Sequence, residues 1–419
     1  MKKTELKLKN DVALIHRGKP TKRVLEVELT APESSGARDA TALNLALIID
    51  RSGSMAGGKL EQVKAAVLQI LDLLRPVDSV AIVDYDHQVS ITAESGSVTP
   101  SAREEMKQAV SSLHPRGMTD LGGGWLCGCE RLAHHQSNGR ITRALLLTDG
   151  LANQGITHPL ELQQHASALF ERGIATSTFG VGEGFNEHLL EGMANRGGGN
   201  FYYIESREQI PELLLQEFKD LVAVSLKRVN LELTFPAGVA FELFGDWRVE
   251  KSDDRHLVIN LSDLSSGRAV NLFLSLLTPP GDGELVIHAS ITGMDEADKP
   301  VHIEGALPLR YADAAEVALA EEGRDQDMLK RYSSVVIGQG ASQALKLERE
   351  GKFAEAGKLM DQLMLEHQDY LPTMTRERYQ LIREEIRVGL DEPRRKRYQN
   401  DSYILKRHRH IDQQGEPGK

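Results

Sequence analysis

Asp50-Arg51-Ser52-Gly53-Ser54 places a carboxylate and two hydroxyls at alternating positions directly after an apolar run. All three can turn inward if the loop curls over the start of the following helix. Such hard oxygen donors suit Mg²⁺, Mn²⁺ or Ca²⁺ and suit zinc poorly. Two more oxygens join them from elsewhere. Asp149 ends a second apolar run, RALLLTD, and Thr119 lies in the loop Arg116-Gly117-Met118-Thr119-Asp120 just before a predicted helix. Taken singly, each residue has a simpler use: Asp50 and Asp149 can cap the helices that follow, and Ser52 and Ser54 can form turns. Taken together, oxygens from three separate connections point to a divalent-cation site.

Other residues invite chemistry more weakly. Asp84 and Asp86, at the end of another apolar run, are read as a second cation site or, more simply, as residues that face solvent or hydrogen-bond loops. Cys127 and Cys129 lie two apart on a predicted helix, point to different faces and are read as packing residues rather than a redox or zinc pair. The run Gly122–Gly124 lets backbone approach the loop carrying the oxygens, or marks a flexible helix start; it lacks the lysine of a phosphate-cradling loop. A magnesium-dependent phosphohydrolase is the alternative function on such a sheet. Phosphatases of the haloacid-dehalogenase type need a second Asp two residues after the first, and Ser52 stands there. No Gly-x-Ser-x-Gly elbow surrounds Ser52 or Ser54.

The elements that must position these oxygens read clearly. LNLALIID (Leu43–Asp50) is apolar on both faces, the mark of a parallel strand. In KLEQVKAAVLQILDLL, Leu60, Val63, Val67, Ile70, Leu71 and Leu74 share one helical face. Strands SVAIVDYD, QVSITAE (an edge), RALLLTD, ATSTFGVG and NFYYIE then alternate with helices at Ser101–Leu113, Leu121–His135, Leu160–Arg172 and near Asn186–Asn195. This predicts an α/β doubly wound, mostly parallel sheet. Its Asp50 loop leaves the C-terminal end of a strand, where open α/β sheets build ligand sites.

From Val222 to Tyr311 the apolar period becomes two, with Leu231, Leu233 and Phe235, then Leu257, Ile259 and Leu261, then Leu272, Leu274 and Leu276, then Leu285, Ile287, Ala289 and Ile291. This predicts an antiparallel β-sandwich. RVLEVELTAP, before the α/β segment, alternates in the same way, so the α/β domain reads as an insertion in the sandwich. Beyond Ala312 the pattern is helical. LEREGKFAEAGKLMDQLM resembles a tetratricopeptide-type hairpin, expected to pack on the sandwich because one hairpin cannot bury its face alone. The expected domains are therefore 1–41 (strands joining the sandwich), 42–221 (α/β), 222–311 (sandwich), 312–392 (helical) and 393–419 (basic tail).

Composition bounds the function. The chain has 419 residues, 40% hydrophobic and 26% charged, with a formal net charge of −11. This argues against a surface built as a whole to bind nucleic acid. Apolar runs such as Leu45–Ile49 and Leu272–Leu277 fall far short of the roughly 20 residues of a membrane helix. The first residues, MKKTELKLKND, carry charge without an apolar core and do not read as a secretory signal. With two cysteines too close to staple a fold, a cytoplasmic chain is expected. The segment Pro393–Lys419 holds eight Lys/Arg against three Asp/Glu. It is read as a solvated tail folding back on the acidic body, or as a tether for an acidic partner such as RNA or DNA, with Tyr398 and Tyr403 available to stack on bases.

The five oxygens together resemble the metal-ion-dependent adhesion site of the von Willebrand factor A domain family, built from an Asp-x-Ser-x-Ser loop, a loop Thr and a later Asp. Asp50, Ser52, Ser54, Thr119 and Asp149 match in the family's order, and the resemblance covers about Ala42–Glu217. The flanking sandwich and helices are similar to those of bacterial multidomain members at the level of architecture. The resemblance implies that Ser52, Ser54 and Thr119 hold Mg²⁺ (or Mn²⁺ or Ca²⁺) directly while Asp50 and Asp149 anchor it and orient water. It implies too that a partner's Asp or Glu carboxylate completes the octahedron and that movement of Thr119 tunes affinity. The implied function is a non-enzymatic, metal-dependent protein-interaction module, an adaptor or scaffold in an intracellular complex. Bacterial relatives often serve with AAA+ ATPases of the MoxR type.

Overall fold

A computed structural model describes residues 4–34, 41–136 and 139–407. The chain divides into two compact units. One comprises the residues up to Glu33, Leu226–Met294 and everything from Pro300; the other comprises Ser34–Ser225 with Asp295–Lys299. The first unit opens with strands β1 (Glu5–Asn10), β2 (Leu14–His16) and β3 (Thr21–Thr30).

The second unit is the α/β domain. Its elements are β4 (Leu43–Asp50), α1 (Lys59–Leu73), β5 (Ser79–Tyr85), β6 (Val89–Ser97), α2 (Pro100–Ser111), α3 (Leu121–His134) and β7 (Ile141–Thr148). They continue with α4 (Pro159–Glu171), β8 (Ala175–Val181), α5 (Glu187–Arg196), β9 (Gly198–Ile204) and α6 (Ile210–Val222). The strands lie in the order β6-β5-β4-β7-β8-β9, all parallel except edge strand β6, which runs antiparallel to β5. Every residue of β4, β5 and β7 is buried, which is why those segments are continuous apolar runs rather than alternating ones.

On one face of the sheet, Leu45, Leu47 and Ile49 share a core with Leu60, Val63, Val67 and Ile70 of α1 and with Leu214, Phe218 and Leu221 of α6. On the other, α3 lies directly on β4 and β5. A Cβ added at Gly124 would come within 2.5 Å of the Tyr85 ring, and one at Gly128 within 2.6 Å of Ile48. The glycines of α3 thus serve close helix–sheet packing, and this sets where the Thr119 loop ends. The chain crosses from β5 and β6 on one side of β4 to β7 on the other. Asp50 and Asp149 stand at the C-terminal ends of the two strands where the order reverses.

After α6 the first unit resumes with β10 (Val224–Thr234), β11 (Ala240–Phe244), β12 (Arg248–Ser252), β13 (His256–Ser265), β14 (Ala269–Thr278), β15 (Glu284–Asp295) and β16 (Pro300–Ala312). One sheet has the order β1-β3-β14-β11 and the other β12-β13-β10-β15-β16-β2. β3 therefore lies inside a sheet, antiparallel to β14, with Leu25 opposite Leu274 and Val27 opposite Leu272. The expected antiparallel pattern is broken at β2, which runs parallel to β16. Leu25, Val27 and Leu29 share the core with Leu231, Leu233, Ile259 and Ile287 of the facing sheet.

Helices α7 (Ala314–Glu322), α8 (Gln326–Arg349), α9 (Phe353–His367), α10 (Thr373–Ile386) and α11 (Glu392–Lys406) follow. The first half of α8 packs Met328, Leu329, Tyr332 and Val336 on Val24, Phe244 and Phe273 of the sandwich. The second half joins α9, α10 and α11 around Ile337, Leu345, Met360, Tyr379 and Tyr398. The basic run expected to be a separate tail from residue 393 instead begins as α11. Tyr398 and Tyr403 are 6% and 2% exposed, so neither can stack on a base. The Tyr398 hydroxyl donates to Glu385 at 2.6 Å, Arg395 donates to Glu348 at 2.8 and 3.1 Å, and Lys406 pairs with Asp246. Arg394, Arg395 and Lys406 are thus matched by acidic side chains of their own unit. The remaining tail, 408–419, lies outside the described residues.

Candidate metal centre

β4 delivers Asp50 into the domain with no exposure. Its Oδ1 accepts the Ser52 N–H at 2.8 Å, and its Oδ2 accepts the Thr148 hydroxyl at 2.6 Å. Burial pushes the Asp50 carboxyl up to about 6, against hydrogen bonds from Ser52 and Thr148, and the neighbouring Asp149 charge adds to the rise. Gly53–Met55 then forms a single helical turn, with Met55 fully buried as its anchor. That turn aims Ser54 outward.

The Ser52 and Ser54 hydroxyls lie 3.0 Å apart. The Ser54 hydroxyl donates to Asp149 Oδ1 at 2.6 Å. Lys59, first residue of α1, places its ammonium 2.5 Å from Asp149 Oδ2 and 3.3 Å from the Ser54 carbonyl. Asp50, Ser52, Ser54 and Asp149 thus form one hydrogen-bonded run linking the ends of β4 and β7.

Thr119 comes from the third connection and is 3% exposed. Its loop is laced to the Asp50 loop by Arg116 N–H to the Arg51 carbonyl at 2.7 Å and Gly53 N–H to the Gly117 carbonyl at 3.1 Å. Asp120 caps α3, its carboxylate accepting the Gly123 N–H at 2.9 Å. A Cβ built on Gly150 would lie 3.4 Å from Thr119 Oγ1 and 3.6 Å from Ser54 Oγ. Two hydroxyls from different loops therefore border one small space that only the glycine leaves open.

The donor set fits a hard divalent cation. It offers hydroxyls and carboxylates, and its Asp149 end already accepts an ammonium. Among the described residues, no group of three or more His, Cys, Asp or Glu side chains is placed to hold a metal, so a thiolate- and imidazole-rich zinc site has no counterpart there.

Asp84 and Asp86 are not solvent-facing; they are 2% and 0% exposed. Arg51 Nε lies 2.9 Å from Asp84 and 3.6 Å from Asp86, Arg116 pairs with Asp86, and His87 Nδ1 lies 3.1 Å from it. Guanidinium groups take the place of a second cation. Burial pushes the Asp86 carboxyl up, but the Gln88 N–H and Arg116 hold it below the usual carboxylate range. Its carbonyl accepts the Asp120 N–H at 2.7 Å, so Asp86 helps to hold the Thr119 loop. Cys129 is buried and Cys127 partly so; burial raises both thiols.

Four residues that shape the site, Lys59, Asp86, Thr148 and Asn153, are not picked out as such by the sequence. Lys59 reads there only as the start of a helix, and Asp86 only as part of a second cation site or as a residue that faces solvent or hydrogen-bonds loops. Asn153, whose Oδ1 accepts the Thr119 N–H at 3.0 Å, has no reading. Their roles depend on contacts between loops far apart in the chain.

The family model described as the von Willebrand factor type A domain matches residues 44–216. Among curated proteins, the chain is 29% identical over 263 residues to the uncharacterized protein YfbK of Escherichia coli, covering 60% of this chain and 44% of the relative. It is 32% identical over 208 residues to human inter-alpha-trypsin inhibitor heavy chain H3, covering 48% of this chain and 23% of the relative. The chain thus spans less than half the length of both. Among solved structures, a von Willebrand factor type A protein from Catenulispora acidiphila aligns with a TM-score of 0.71 at 17% identity, covering 97% of this chain and 96% of the other. The ArnB paralog VWA2 from Sulfolobus acidocaldarius aligns with a TM-score of 0.62 at 18% identity, covering 97% and 99%. At those identities the two structures share the fold.

Proposed function

Because the chain carries a von Willebrand factor type A domain over residues 44–216, we propose that it is a metal-dependent protein-interaction module. Ser52, Ser54 and Thr119 would hold Mg²⁺, or Mn²⁺ or Ca²⁺, through their hydroxyls, with Asp50 and Asp149 anchoring it. The observation that carries this reading is the convergence at Gly150. Thr119 Oγ1 and Ser54 Oγ border the same space, and the Asp149 carboxylate lies 2.6 Å from Ser54.

When bound, the cation supplies a positive charge that three neutral hydroxyls leave largely unquenched, and that charge attracts a carboxylate. The chain's own residues prepare the place. Thr148 and the Ser52 N–H fix both oxygens of Asp50, and the turn at Gly53–Met55 keeps Ser54 exposed at the mouth. A partner's Asp or Glu is the group this arrangement would take. Such a charge-assisted contact is strong where water is excluded.

A phosphohydrolase reading is disfavoured by Asp50 itself. The carboxylate that would act as nucleophile is fully buried with both oxygens engaged, and Ser52 occupies the place of the acid/base group. We read the chain as a cytoplasmic adaptor or scaffold in which the sandwich and helices hold the module in a complex. A MoxR-type AAA+ ATPase is the first partner class to test. Affinity capture in Mg²⁺, followed by elution with EDTA, tests the proposal. Partners released by chelation from the wild-type chain and not captured by Asp50→Ala support it; capture indifferent to both overturns it.

A further inference from the structure

We propose that Lys59 is a tethered cation that holds the Asp149 end of the site until a divalent ion takes its place. The inference rests on the reading of the five oxygens as a divalent-cation site. Both oxygens of Asp149 are engaged, Oδ1 by the Ser54 hydroxyl at 2.6 Å and Oδ2 by the Lys59 ammonium at 2.5 Å. The Asp149 side chain has no exposure, whereas that of Lys59 is 31% exposed. The carboxylate is fixed and the ammonium, on a flexible four-carbon stem, is the member that can leave.

Local backbone aims Lys59 at this carboxylate. Gly57 and Gly58 precede it with φ of 73° and 95°, a left-handed pair that a side chain would strain. The Gly57 carbonyl is held by Arg207. The turn sets Lys59 at the first position of α1, close enough for its ammonium to reach back to the Ser54 carbonyl at 3.3 Å. A basic residue at a helix N-terminus opposes the helix dipole, so its place there is explained by Asp149 rather than by the helix.

A tethered charge competes at a high effective concentration set by its own stem. Lys59 therefore neutralises Asp149 in the ion-free chain and weakens ion binding. When a divalent ion is held by Ser52, Ser54 and Thr119, like charges drive the ammonium off Asp149 to the exposed rim. There it adds positive charge to the face offered to a partner's carboxylate. Ion binding and partner binding are coupled through one side chain.

The full-length chain is titrated with Mg²⁺ by calorimetry, and its amines are pulse-labelled with and without saturating Mg²⁺ and read by mass spectrometry. Lys59 should label slowly without Mg²⁺ and faster with it, and in Asp149→Asn fast in both. Lys59→Met should bind Mg²⁺ about two- to fivefold more tightly, the weight of one partly exposed ion pair, while Lys59→Arg stays near wild type. Circular dichroism checks that each variant is folded. Mg²⁺ binding by the wild-type chain with unchanged Lys59 labelling, or an equal or weaker affinity in folded Lys59→Met, overturns this inference alone. No Mg²⁺ binding by the wild-type chain overturns the site reading and this inference with it.

Discussion

Thr119 and Asn153 hold each other by two reciprocal hydrogen bonds. The Thr119 N–H donates to Asn153 Oδ1 at 3.0 Å, and the Asn153 N–H donates to the Thr119 carbonyl at 3.2 Å. One side chain thus fixes the loop of the third hydroxyl to the loop that follows Asp149. Groups that orient metal ligands typically govern affinity by about 10- to 100-fold. Asn153→Ala should therefore weaken Mg²⁺ binding by about tenfold without changing the circular dichroism spectrum. An affinity equal to wild type would mean that Thr119 needs no such clamp.

Gly150 offers a sharper substitution. Its backbone does not adopt a positive φ, and its added Cβ would be in ordinary contact with Thr119 Oγ1 and Ser54 Oγ at 3.4 and 3.6 Å. Gly150→Ala should fold with a thermal midpoint within a few degrees of wild type, because no clash is created, and yet lose Mg²⁺ binding, because the methyl fills the space between the hydroxyls. Differential scanning fluorimetry with and without Mg²⁺ reads both effects at once.

Most of the α/β domain is legible in the sequence because its strands are buried on both faces. A residue run such as Leu43–Asp50 has no other stable use. The five candidate oxygens are legible because Asp50, Ser52 and Ser54 are close in the chain, Asp149 ends a recognisable strand and Thr119 lies just before a recognisable helix. What is not legible depends on partners distant in sequence. Lys59 meets Asp149 across 90 positions. Seven of the fifteen residues of α11 are charged, and its counter-charges Glu348, Glu385 and Asp246 lie elsewhere in the chain, so the sequence reads as a tail. The short strand β12, at a sheet edge and largely exposed, carries little apolar pattern.

The reassignment of the basic run makes its own prediction. Tyr403 is 2% exposed on a helix that shares a core with α8 and α10. Tyr403→Ala should destabilise the sandwich-and-helix unit by about 3 kcal/mol, as large buried aromatics do. The lowered urea midpoint checks it; a surface tail would leave the midpoint in place.

A buried carboxylate in the α/β domain gives the pH dependence. Glu217, 1% exposed, is pushed up by burial, but the Arg143 charge and hydrogen bonds from Ser177, Tyr202 and Asn200 hold it below its ordinary value of 4.5. The bonds from Ser177, Asn200 and Tyr202 measure 2.5, 2.6 and 2.6 Å. Since the folded state lowers this pKa, the stabilisation is full above pH 4.5 and is lost as pH falls through the lower folded value. Glu217→Gln should cost about 3 kcal/mol at neutral pH by removing the buried negative charge that acts on Arg143. The gap to wild type should close as the medium is acidified through that range. Urea denaturation at a series of pH values reads the gap directly.

Calorimetric titration of the full-length chain with Mg²⁺, beside the same titration of folded Asp50→Ala, measures what the five oxygens do. A saturable heat from the wild-type chain, with a matching rise in thermal midpoint and neither effect in Asp50→Ala, is the predicted result. A wild-type chain that takes up no Mg²⁺ or Mn²⁺, or an Asp50→Ala chain that binds as tightly as wild type, would contradict the assignment of Asp50, Ser52, Ser54, Thr119 and Asp149 as a metal site.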